Sequence, residues 1–173
     1  MSRQLIIPLV LVLATVALLV CQCTVAHIWR PWGLRLEFLP ALLLYAAFTL
    51  GMPTAILLSV AAALMYDTFS AGPFGGSLIP FIAVTAMFCA LRPVFFRNRI
   101  STQFVSGFVF ALLALPVQWL LGGKFMVSWN VVFPKLMHLS IFCGVLAILY
   151  FTIFDFFFRL VGLNPGRFED DLE

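Results

Sequence analysis

The 173-residue chain is 64% hydrophobic and only 10% charged, with a mean hydropathy of +1.13. A soluble domain carries about a quarter charged residues, so this composition excludes an adequate water-facing surface. The formal net charge of +3 is too small to argue for nucleic acid as a partner. The basic residues read instead as topology signals and contacts to lipid headgroups.

The spacing predicts an all-α integral membrane protein, a single domain with six transmembrane helices over 5–26, 36–51, 54–70, 76–91, 104–121 and 131–158. Each apolar run approaches the length of about 20 residues that spans a hydrocarbon core. The first, Leu5–Ala26, follows a short basic start. It is too long for a signal-peptide apolar region and reads as a retained span. Breaks fall where spans should end: Pro31-Trp32-Gly33, Gly51-Met52-Pro53, Gly72-Pro73, Arg92-Pro93 and Gly122-Gly123. Connections are short, so neighbouring helices are expected to run antiparallel. The remainder, 159–173, is a short acidic tail expected in the cytoplasm. Its plain reading is a solvated end, and the other is a docking peptide for a cytosolic partner.

Orientation follows from Lys and Arg. With both termini cytoplasmic, the inside carries Arg3, Arg92, Arg97, Arg99, Arg159 and Arg167, and the outside Arg30, Arg35, Lys124 and Lys135. Fusing the second and third segments would put the triple-arginine loop outside. A re-entrant hairpin over 36–70 keeps the same parity and stays open. In the six-span arrangement Trp29, Trp32, Trp119 and Trp129 share the external interface, where indole rings favour the headgroup layer. The cysteines Cys21, Cys23, Cys89 and Cys143 all lie in apolar runs and behave as small hydrophobes. Cys21 and Cys23 point to nearly opposite sides of a helix and cannot jointly hold a metal.

The most polar stretch between spans is YDTFSAGPFGGS, Tyr66 to Ser77. Upstream of it Gly51, Ala55, Ser59, Ala63 and Asp67 recur every four residues, on one drifting helix face. Small residues at this spacing let another backbone approach closely, so these five are candidates for packing or partner binding. Thr68 and Ser70 can bond carbonyls freed as the helix ends. Gly72-Pro73 cannot continue a helix, and Gly75-Gly76 permits a positive φ or a close contact. Asp67 then either caps N–H groups of the turn or contacts a partner helix or ligand.

The stretch from about Trp32 to Arg99 resembles the bacterial rod shape-determining membrane protein family MreD. The family pattern is an apolar run after a proline and an acid, a tyrosine in that run, a small-residue helix, then G-L-x-x-D-x-x-S-G-x-P-L-G. Asp67, Ser70, Gly72, Pro73, Gly75 and Gly76 form the corresponding turn here, with one-place differences. The chain departs from the pattern at Ala63, at Phe74, and in Glu37, which precedes Pro40 by three instead of following it.

The resemblance implies a non-enzymatic scaffold of the cell-elongation machinery in the bacterial inner membrane. It implies binding to MreC, a single-span protein, and through it links to MreB, RodA and an elongation transpeptidase that organise peptidoglycan synthesis. Membrane lipids are further expected contacts, and a homo-oligomer is possible. The family is similar in architecture to the substrate-binding S components of energy-coupling-factor transporters. The alternative function is therefore the membrane subunit of a small-molecule transporter.

Enzymatic motifs fit poorly, and no cofactor or metal site is expected. A P-loop needs Lys beside Ser or Thr after its glycine, and GPFGGS has none. No H-E-x-x-H or G-x-S-x-G occurs. An aspartyl dyad needs two carboxylates sharing a proton, whereas Asp67 and Asp155 are expected at opposite ends of the bundle. Asp155 is expected to pair with Arg159 one turn on. His138 is a lone histidine in an apolar run and is expected in a hydrogen-bonded packing role. The run YFTIFDFFFRL reads as lipid- and helix-facing bulk.

Overall fold

The apolar runs do form helices, and the described break between the second and third runs falls at Gly51. The structure, a computed structural model, describes residues 3–29, 37–69, 74–94, 99–121 and 129–162. They contain six α-helices: α1 Arg3–Trp29, α2 Leu39–Thr49, α3 Met52–Phe69, α4 Leu78–Leu91, α5 Ile100–Leu121 and α6 Trp129–Leu160. A 3-10 turn, Arg92–Val94, extends α4. Three helical stretches are long and apolar enough to cross a membrane, Met52–Phe69, Ile100–Leu121 and Val132–Leu160. Ile6–Gln22 within α1, Leu39–Thr49 and Leu78–Leu91 are shorter apolar stretches.

The expected span 36–51 is the largest departure. Its helix has only 11 residues, about 16 Å of rise, too short to cross a core of about 30 Å. Pro40 in its first turn presets the helical φ, and Leu50 ends it in an extended conformation, φ −97° and ψ 155°. The chain reverses at once, since Thr54 Oγ1 and the Ala55 N–H both bond the Gly51 carbonyl, at 2.7 and 2.9 Å. Every residue of α2 is buried. A helix apolar on all sides has no face to give to solvent and belongs in the centre of a bundle.

The other helices surround α2, which packs on α1, α3, α4, α5 and α6. Aromatic rings fill the seams. Phe48 meets Phe88 and Phe151, and Tyr45 lies against Phe151 and Phe154. Side-chain contacts fix the directions. Phe38, entering α2, donates its N–H to Gln22 near the end of α1, so α1 and α2 are antiparallel. Arg92, following α4, reaches carbonyls at the end of α2, and Asp155 late in α6 meets Tyr45. Thus α2, α4 and α6 run one way and α1, α3 and α5 the other, as the short connections predict.

Candidate functional site

Asp67 closes the turn that the sequence singles out. It is the last buried residue of α3, 5% exposed. Its Oδ2 accepts the Gly75 N–H at 2.8 Å and the Ser77 N–H at 3.3 Å. The carboxylate therefore satisfies donors exposed where α4 begins, the capping alternative of the two. Gly75 has φ +89°, a conformation that favours glycine, and its carbonyl accepts the Leu78 N–H at 3.2 Å. Gly76 is half-buried beside it, while Ser70, Gly72 and Pro73 lie outside the described residues. Thr68 Oγ1 bonds the Met65 carbonyl at 2.7 Å, as expected of a helix end.

Two further contacts extend this end of the bundle. Gln118 of α5 donates from Nε2 to Ser77 Oγ at 2.8 Å, so one chain of hydrogen bonds links α3, the turn and α5. Tyr66, adjacent to Asp67, donates to Oε1 of the buried Glu37 at 3.2 Å. Its ring also meets Phe81 edge-on. Glu37 thus ties the start of α2 to the end of α3. Neither Gln118 nor Tyr66 is a candidate by sequence. Their partners are 41 and 29 positions away, beyond any local periodicity.

The small-residue face of α3 is spent inside the chain. Ala55, Ser59 and Ala63 have no exposed surface and Asp67 almost none, while Gly51 at the helix start is half-buried. Ser59 Oγ returns to the Ile56 carbonyl at 2.8 Å, so its polarity is satisfied within the helix. Helices α1, α2 and α4 pack around α3. Of the packing and partner-binding roles open to this face, the geometry favours packing within the chain.

A tighter contact joins α5 to α6. A Cβ built on Gly107 would lie 2.7 Å from Ala147 Cβ and 3.1 Å from Gly144 Cα. One built on Gly144 would lie 3.0 Å from the Phe104 carbonyl oxygen. Small residues allow this approach. The available signal was the small residues Gly107 on α5 and Gly144 and Ala147 on α6.

At the opposite end, Arg92 does more than mark orientation. Its Nε donates to the Ala47 carbonyl at 3.2 Å, and its Nη2 reaches the carbonyls of Ala47 and Leu50. A cation at a helix C-terminus satisfies orphan carbonyls and opposes the negative end of the helix dipole. Asp155 accepts the Tyr45 hydroxyl at 2.9 Å. The expected Asp155–Arg159 pair accordingly gives way to a contact with the core, because a fully buried phenol needs an acceptor. Arg159 is exposed.

His138 is exposed rather than packed, with Nδ1 2.6 Å from the Pro134 carbonyl oxygen of its own helix. In the Phe-rich run, Phe151 and Phe158 are buried and Phe156 and Phe157 exposed. Trp119 is half-buried, whereas the side chains of Cys23, Trp29 and Trp129 and all of Trp32 lie outside the described residues. Among the described residues no three His, Cys, Asp or Glu side chains are grouped to hold a metal. Asp67 and Asp155 serve opposite ends of the bundle, so these two form no dyad. The arrangement can fix helices against one another and hold the start of α4 against the end of α3. No protein-family model matches the chain, and neither curated proteins nor solved structures give a significant match.

Proposed function

We propose that the chain is a non-enzymatic, MreD-like scaffold of the bacterial cell-elongation machinery. Its helical bundle sits in the inner membrane with both termini cytoplasmic, in an architecture like that of energy-coupling-factor S components. It recognises an MreC-like single-span protein, and through it MreB, RodA and an elongation transpeptidase. Short α2 sits within the bundle as part of the α2–α3 hairpin, and the longer helices carry the span.

One observation carries the reading. The carboxylate of the family-like turn is occupied by backbone N–H groups of Gly75 and Ser77, so the motif's polar residues build a shape. A scaffold needs a rigid shape and no reactive group. The exposed apolar surface of α1, α3 and α4, lined by residues such as Leu13, Leu57 and Ile79, is where a single-span partner would lie.

The test is affinity purification from native membranes in mild detergent, through a tag after Glu173, with mass spectrometry of what is retained. Recovery of an MreC-like protein with elongation enzymes is expected. Recovery of paired ATPases with a transmembrane coupling subunit would overturn the scaffold and make the chain a transporter's substrate-binding component.

A further inference from the structure

Helix α6 has 32 residues and is about 48 Å long at 1.5 Å per residue. A hydrocarbon core measures about 30 Å, so the ends of α6 reach the headgroup layers or beyond. Lys135 and Arg159 are both exposed on it, separated by about 36 Å of helical rise. That spacing sets each cation at the headgroup level of its own leaflet. Between them Ile141, Val145, Leu149 and Ile153 form an exposed apolar track.

His138 is exposed one turn inward from Lys135. Its Nδ1 lies 2.6 Å from the Pro134 carbonyl oxygen. A carbonyl oxygen can only accept, so Nδ1 carries a proton, and in that tautomer Nε2 is the acceptor. Residues three apart on a helix are neighbours. This end of α6 therefore presents a cationic donor and an acceptor side by side, at headgroup level, above an apolar track.

We infer that this face of α6 holds a phospholipid whose headgroup bears both a phosphate and a primary ammonium, as in phosphatidylethanolamine. Lys135 donates to the phosphate, and the ammonium donates to His138 Nε2. The acyl chains lie along Ile141, Val145 and Leu149. Charge complementarity selects this occupant. Two cations side by side would take any anionic lipid, but one donor beside one acceptor matches a zwitterionic headgroup with N–H groups. A choline headgroup has no N–H to give. The inference rests on the membrane-spanning reading proposed above.

The experiment reconstitutes the full chain at pH 8. The nanodiscs hold equal phosphatidylethanolamine and phosphatidylcholine, and native mass spectrometry reads the lipids retained. Retention of phosphatidylethanolamine is expected to exceed that of phosphatidylcholine about tenfold, the factor one charge-assisted hydrogen bond contributes. His138→Ala should abolish that preference and leave total phospholipid unchanged, whereas Lys135→Ala should lower both lipids. Equal retention by the unaltered chain, a preference that survives His138→Ala, or stronger retention of phosphatidylglycerol in a parallel mixture would each overturn the inference while leaving the spanning reading intact. Failure of the chain to enter any bilayer, read by vesicle flotation, would overturn both.

Discussion

Tyr45, fully buried in α2, donates its hydroxyl to Asp155 of α6 at 2.9 Å. This bond pins the central helix to the longest one. Tyr45→Phe keeps the ring contacts with Phe151 and Phe154 and removes only the donor. It should cost about 1–2 kcal/mol, read as an earlier midpoint in urea unfolding from mild detergent. Asp155→Asn retains an acceptor oxygen and should cost less. If Asp155→Asn proved the more damaging, charge at Asp155 would outweigh this hydrogen bond.

Asp67→Ala leaves the N–H groups of Gly75 and Ser77 without their acceptor. The expected loss is about 1–3 kcal/mol, with hydrogen exchange at those two amides accelerating before global unfolding. Asp67→Asn should recover most of it, since an amide oxygen can take the same position. Gly75→Ala meets nothing within 4 Å, so its cost is purely that of a side chain at φ +89°, about 1–2 kcal/mol.

Gly144→Ala and Gly107→Ala should force α5 and α6 apart, because the new Cβ meets helix backbone or another Cβ. Each is expected to lose about 1–3 kcal/mol as overpacking. Gly51→Ala is the control: its nearest neighbour, Thr54 Oγ1, lies at an ordinary 3.7 Å, and it should stay within about 0.5 kcal/mol. Thermal unfolding by size-exclusion fluorescence ranks the three, and an equal ranking would refute the close crossing.

Ala63→Leu overfills a position with no exposed surface. It should weaken folding more than Leu64→Ala at the half-buried neighbour. Because the face lies inside the chain, the loss should appear in the purified protein before any partner is added. Normal stability with lost complex on a blue-native gel would instead make this face a partner surface.

Arg92→Ala exposes the carbonyls at the end of α2 that the guanidinium now satisfies. Lys cannot reproduce the planar fork, so Arg92→Lys should fall between the parent and Arg92→Ala in melting temperature. A lysine variant as stable as the parent would reduce Arg92 to its charge.

Sequence alone determined the helical class, the break at Gly51 and the buried face of α3. These are local properties: apolar content, four-residue spacing, and the glycine-proline break after α2. It also located the ordered turn at Asp67, though not what the carboxylate does there.

The tertiary structure decided which groups meet. Tyr45 and Asp155 are 110 positions apart, and only the parallel register of α2 with α6 places them together. Arg159, four residues from Asp155, was the nearer candidate, but a buried phenol has no water to fall back on. Likewise α2 is wholly enclosed because five other helices take up its surface. Hydropathy measures how apolar a segment is. It does not say whether lipid or protein will cover it.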